Sequence, residues 1–111
     1  AKLVTPAPDT AHPRLILSED LRSVRRGDTE QDLPNVPERF DTEYCVLGQE
    51  EFWEGQHCWE VEVMAEDSWC YLGVARASVK RKGKVKVSPS RGIWALEYDE
   101  GELEALTESP T

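Results

Sequence analysis

Residues 55–63, Gly55-Gln56-His57-Cys58-Trp59-Glu60-Val61-Glu62-Val63, alternate strictly: an extended backbone puts Trp59, Val61 and Val63 on one face and Glu60 and Glu62 on the other. A period of two marks a strand half-buried against a second layer and is incompatible with an amphipathic helix. The rest of the chain reads the same way. Leu15-Ile16-Leu17 and Leu21 to Arg25 form an early hairpin, with Gly27-Asp28 turning the chain after it. Tyr44 to Leu47 is a further strand. Trp69 to Ala75 mixes aromatic, aliphatic and small residues, as strands covered on both faces do. Lys84-Val85-Lys86-Val87 turns its valines inward at a solvent-facing edge, and Ile93 to Tyr98 and Glu102 to Leu106 close the series. Between them lie a proline-rich lead-in with one helical turn at Asp9 to His12 and a polar surface connection from Thr29 to Pro37. Many short strands and no helix of useful length predict an all-β fold, an antiparallel β-sandwich.

Composition bounds the function. A chain of 111 residues makes one domain, and a formal net charge of -9 disfavours nucleic acid as a partner. No apolar run approaches the roughly twenty residues that span a bilayer, and Ala1 to Pro6 lacks the apolar core of a secretion signal. Three cysteines, Cys45, Cys58 and Cys70, cannot all pair within one chain, which predicts buried free thiols in a reducing compartment, the cytoplasm. They are too far apart for the close pairs of a zinc site, so no metal and no cofactor is expected. Phosphate-binding loops, the nucleophile elbow and the zinc-protease motif are all missing, and Glu60 and Glu62 read as the solvated side of a strand. No catalytic residue is assigned.

Two features invite a binding role. Lys80-Arg81-Lys82-Gly83-Lys84-Val85-Lys86 concentrates base within an acidic chain, either as a docking patch or as a solvated hairpin whose charges discourage edge pairing; the second reading is preferred. Among the tryptophans, Trp59 and Trp94 lie in apolar alternation and are expected in the core. Trp53 and Trp69 lie nearer loop edges, where a tryptophan can anchor an interface.

The order and spacing of these pieces resemble the PRY-SPRY (B30.2/SPRY) domain of the TRIM and butyrophilin families. Pro8-Asp9-Thr10-Ala11-His12-Pro13-Arg14-Leu15 is similar to the start of a PRY segment and Pro37-Glu38-Arg39-Phe40-Asp41 to its end. Trp59-Glu60-Val61-Glu62-Val63 is similar to the strand that opens SPRY, and Tyr71 to Ala75, Lys80 to Gly83 and Gly92 to Leu96 follow in the family's order. The resemblance implies a concanavalin-like jelly roll, with PRY over residues 1–50 and the first part of SPRY over 51–111. Pro6, Ala7 and Pro8 depart from the family's Leu-Asp-Pro, and the later SPRY strands are expected to be missing. Leu96 to Glu102 mimics the family's later Leu-Asp-Tyr-Glu motif, but the flanking segments favour truncation over an internal deletion.

The resemblance implies a non-catalytic module that selects a protein or peptide ligand through variable loops. Those loops correspond to 25–32, 65–71 and 97–101, with candidate contacts Arg25, Arg26, Asp28, Asp67, Trp69, Tyr71, Glu97 and Asp99. Where some relatives place tryptophans after Ile93-Trp94, this chain has Glu97 and Asp99, which suit a basic partner better than an aromatic slot does. In a TRIM-type parent the module would resemble the substrate-selecting end of a ubiquitin ligase of innate immunity, the chemistry residing in a RING elsewhere. In a butyrophilin-type parent it would be an intracellular ligand sensor. The alternative is a small secreted protein of the venom vespryn type. Strand edges left unpaired by truncation would favour self-association.

Overall fold

A computed structural model describes residues 2–64 and 68–106. Among the described residues five strands, β1 (Leu15–Leu17), β2 (Val24–Arg26), β3 (Trp69–Ala75), β4 (Ile93–Asp99) and β5 (Glu102–Ala105), are accompanied by 3-10 turns at Pro8–Thr10 and Pro89–Arg91. Every ladder is antiparallel: β1 pairs with β2, and β3, β4 and β5 form a second sheet in that order. The all-β antiparallel class matches the sequence expectation. The chain divides into two compact units, one of residues 1–60 with 81–85 and one of 61–80 with 86–111.

The first unit has little regular structure and is held by side chains that satisfy backbone groups. Arg39 is buried, with its Nε donating to the Pro34 carbonyl at 2.8 Å and its Nη1 donating to the carbonyls of Pro8 at 3.1 Å and Ala11 at 2.7 Å. A guanidinium suits this role because its planar fork carries five donors and stays charged. Lys82 Nζ donates to Asn35 Oδ1 and to the carbonyls of Val36 and Arg39 at 2.7–2.8 Å. The Thr10 hydroxyl donates to the Ala7 carbonyl and accepts from Leu47 N–H. Around these bonds sits a small core of Ala11, Leu15 and Phe40.

Three expected strands join no ladder among the described residues. Trp59 makes a single bridge to Lys2, whose N–H donates to the Cys58 carbonyl; beyond it, residues 60–63 join no ladder and Val61 stays exposed. Tyr44 to Leu47 joins no ladder and bonds to the lead-in through Cys45 O, Leu47 O and the Leu47 N–H, which meets the Thr10 hydroxyl. In Lys84 to Val87 the valines are half-buried and the lysines exposed, as expected, yet Val85 N–H donates to the Glu43 carboxylate, so no ladder forms there. The early hairpin does form, with its second strand shifted to Val24–Arg26. Its chain reversal lies within residues 18–23, where the Ser18 hydroxyl accepts from the N–H groups of Arg22 and Ser23.

The second unit is the regular one. In β3–β4 the register sets Trp69 opposite Asp99, Tyr71 opposite Glu97 and Gly73 opposite Ala95 on one face. The other face carries Cys70, Leu72, Val74, Trp94, Leu96, Tyr98, Leu103 and Ala105, an unbroken apolar set. Glu100 and Gly101 both adopt positive φ, 50° and 88°, the backbone of a two-residue hairpin turn whose twist matches the strands. Covered faces for β3 and a core position for Trp94 were expected. Instead Trp69 and Tyr71 on one face and Val74 and Trp94 on the other are all exposed, so neither face of this sheet is fully covered.

The thiols are free, and Cys58 is exposed, against the expectation that all three are buried. Burial pushes the Cys45 thiol up to about 11 and raises that of Cys70, so both behave as small hydrophobes, not nucleophiles.

Candidate functional site

Antiparallel pairing places directly opposed residues on the same face, and the two-residue step along a strand repeats that face about every 7 Å. These two rules assemble four of the candidate residues. Trp69 and Tyr71 of β3 stand side by side across from Asp99 and Glu97 of β4. The Trp69 indole N–H donates to Glu97 Oε2 at 2.6 Å, and its ring meets Tyr71 edge-on with centroids 5.0 Å apart. Trp69 is 56% exposed and Tyr71 40%, so the pair is fixed in orientation while open to solvent. An indole oriented by a carboxylate loses little side-chain freedom when a partner covers it.

The family resemblance placed these residues on loops, while the period of two already put Trp69, Tyr71 and Glu97 in strands; the structure places all four within ladders. The expected loops 65–71 and 97–101 begin or end in β3 and β4, because the hairpin turn takes up only Glu100 and Gly101. Asp67 lies outside the described residues. Glu102 and Glu104 were missed. They stand on the same face, opposite Asp99 and Glu97 respectively, and the alternation Glu102-Leu103-Glu104-Ala105 after a two-residue turn was the signal that could have found them.

Arg25, Arg26 and Asp28 belong to the first unit. All three are exposed, but the Arg26 guanidinium lies over the Tyr44 ring at 4.1 Å, a cation–π contact that occupies it within the unit. The basic run is also partly spent on structure. Arg81 donates to the Glu38 carbonyl and lies over Phe40, and Lys82 holds three acceptors, leaving Lys80, Lys84 and Lys86 as its exposed members. These bonds favour a structural role over a docking patch, but the expected hairpin does not form: residues 80–87 join no ladder. The first unit has an aromatic group of its own, in which Phe52 stacks on His57 at 4.4 Å and on Trp59 at 5.5 Å; Trp53 beside it is 85% exposed. Phe52, Trp53 and His57 line a shallow hollow there together with Lys2, Glu50, Glu51 and Glu54. Among the described residues no group of His, Cys, Asp and Glu is arranged to hold a metal ion.

Comparison with known proteins adds the lineage. The model of the SPRY-associated domain, PRY, matches residues 5–52, and that of the SPRY domain matches residues 56–111. Human butyrophilin subfamily 2 member A2 is 54% identical over 100 residues, 90% of this chain and 19% of that protein. Human erythroid membrane-associated protein is 53% identical over 109 residues, 97% of this chain and 23% of that protein. The E3 ubiquitin-protein ligase TRIM11 of Rattus norvegicus is 53% identical over 95 residues, 86% of this chain and 20% of that protein. The chain thus spans about a fifth of the length of these curated relatives. Among solved structures, stonustoxin superposes with a TM-score of 0.69 at 23% identity, covering 98% of this chain and 19% of that one. At that identity the likeness speaks to fold, and it supports the β-sandwich class.

Proposed function

This chain belongs to the PRY-SPRY family, and from that premise we propose that it is a non-catalytic recognition module whose β3–β4–β5 sheet receives a protein or peptide ligand. One observation carries the reading: Trp69 and Tyr71, large aromatic side chains, are held in fixed orientation and left exposed beside the carboxylates of Glu97 and Asp99. Exposed aromatic anchors next to polar groups of defined direction are the usual energetic centre of an interface. Ligand binding would therefore need no chemistry from this chain.

In a TRIM-type parent the module would hold a substrate for a ligase domain elsewhere, in the cytoplasm. In a butyrophilin-type parent it would sense a ligand. The identities to butyrophilin and TRIM11 favour these settings over a secreted vespryn-like protein, because the stonustoxin likeness carries fold alone. Self-association through the strand edges is a further part of this reading, tested by sedimentation equilibrium: a concentration-dependent rise in mass supports it and a constant monomer mass removes it.

Selection from a displayed random peptide library tests the main reading, with the whole chain as bait. Enriched peptides should lose roughly thirtyfold in affinity on Trp69→Ala, the scale of an interface hot spot. Enriched peptides that bind the Trp69→Ala and Tyr71→Ala variants as well as the parent would overturn the assignment of the face.

A further inference from the structure

The face that carries Trp69 and Tyr71 has an unbalanced charge pattern. Glu97 stands directly opposite Glu104, and Asp99 directly opposite Glu102, so four carboxylates form a two-by-two block across β4 and β5. Like charges directly opposed across a ladder oppose its pairing. Asp99, Glu102 and Glu104 are exposed, and no Lys, Arg or His occurs anywhere in β3, β4 or β5 to offset the block. A further step along the face, the Gly73–Ala95 pair contributes little or no side chain beside the aromatic pair, with Ala75 and Ile93 one step beyond it. The face therefore offers two rows about 7 Å apart: Trp69, Asp99 and Glu102 in one, Tyr71, Glu97 and Glu104 in the other.

We propose that the occupant of this face is an extended cationic peptide segment with arginine at every second residue. This deepens the function proposed above and rests on it. The charge of the block selects for cations, and its row spacing selects their periodicity, because residues i and i+2 of an extended chain project to one side about 7 Å apart. Arginine is preferred over lysine because its planar guanidinium can lie on the indole or phenol ring while its N–H fork engages a carboxylate. Bringing such cations between Glu97 and Glu104 and between Asp99 and Glu102 relieves the repulsion that the empty face carries.

The test uses fluorescein-labelled ten-residue Gly/Ser peptides with two arginines, placed either at i and i+2 or at i and i+1, with lysine, glutamate and uncharged counterparts. Binding is measured by polarisation to the whole chain. The i,i+2 arginine peptide should bind roughly tenfold tighter than the i,i+1 peptide of equal charge, and its affinity should fall as salt rises from 50 to 300 mM. Glu97→Gln combined with Asp99→Asn should weaken it roughly tenfold, two charge contacts of the usual size. Glu19→Gln combined with Glu60→Gln changes the net charge equally at exposed positions off this face and should leave binding unchanged. Equal binding of the two spacings, or equal loss from both double variants, would show attraction by net charge alone and overturn the proposal. If library-selected peptides are uncharged or acidic yet depend on Trp69, the cationic ligand is wrong while the recognition face stands. If neither cationic nor selected peptides respond to Trp69→Ala, both readings fall.

Discussion

The two units of this chain reach order by different physical routes. In the first, which holds most of the PRY segment, the ladder is a three-residue hairpin, and backbone groups are satisfied by the side chains of Arg39, Lys82, Thr10 and Glu50. In the second, β4 pairs along seven residues with β3 and along four with β5, while side chains on both faces stay exposed. Backbone pairing needs only the right period and a turn. Burial by side-chain-to-backbone bonds needs particular residues brought together from distant positions. Substitutions should therefore act on single polar atoms in the first unit and on backbone spacing in the second.

The largest effect is expected at Arg39. Arg39→Met keeps an apolar stem but leaves the carbonyls of Pro8, Ala11 and Pro34 without this donor, and should cost about 3 kcal/mol or more. Urea denaturation measures it; a cost below about 1 kcal/mol would mean that water replaces the guanidinium and that the first unit is not held as described. Next comes Gly73, where β3 approaches β4 so closely that an added Cβ would run into the Trp94 carbonyl oxygen and reach 2.6 Å from Ala95 Cα. Gly73→Ala should cost roughly 2 kcal/mol, the scale of overpacking, with loss of amide-exchange protection concentrated in β3 and β4. Unchanged protection there would show that the ladder has room to adjust. By contrast Leu103, 59% exposed on the apolar face, should tolerate Leu103→Gln within about 0.5 kcal/mol in dilute protein. A larger loss would mean that something covers this face.

The smallest effect is a pH dependence in the first unit. His12 is 5% exposed, its Nδ1 accepts from Arg14 N–H, and its ring meets Tyr44 edge-on at 4.5 Å. Burial holds its pKa below the ordinary 6.5, with the Arg14 charge adding to that while Glu30 and Asp41 act the other way. Below about pH 6.5 the unfolded chain binds a proton that the folded chain resists, so stability falls with pH until the folded imidazole also titrates. Asp41, held below its usual range chiefly by the Gly83 N–H, acts in a separate, lower window, its contribution lost only as pH drops through its depressed value. Denaturation midpoints from pH 7 to 5 should decline in the parent and flatten in His12→Gln; parallel profiles would exclude His12 as the source.

What could be read from the amino-acid order follows the same division. The period of two placed Trp69 to Ala75 and the last two strands to within a residue or so, and it would have placed Glu102 and Glu104 had the turn at Glu100-Gly101 been counted as two residues. Period alone misplaced Trp59 to Val63 and Lys84 to Val87, since alternation sets which side chains turn inward but not whether a neighbouring backbone lies alongside. The roles of Arg39 and Lys82 were invisible. Their acceptors are backbone carbonyls, which every residue has, so only the fold identifies them. Four of the eight candidate contacts share a sheet face because their register is local; Arg25, Arg26 and Asp28 belong to the other unit, and Asp67 lies outside the described residues.

The face of Trp69, Tyr71, Glu97 and Asp99 is the centre of the account, and the Trp69 indole N–H, bonded to Glu97, is a built-in reporter for it. Its nitrogen–proton NMR signal, assigned by its loss in Trp69→Phe, should move on titration with a library-selected peptide and saturate at the same concentration as binding measured independently. A selected peptide that binds to saturation while that signal stays fixed and the indole signals of Trp53 or Trp59 move instead would contradict it.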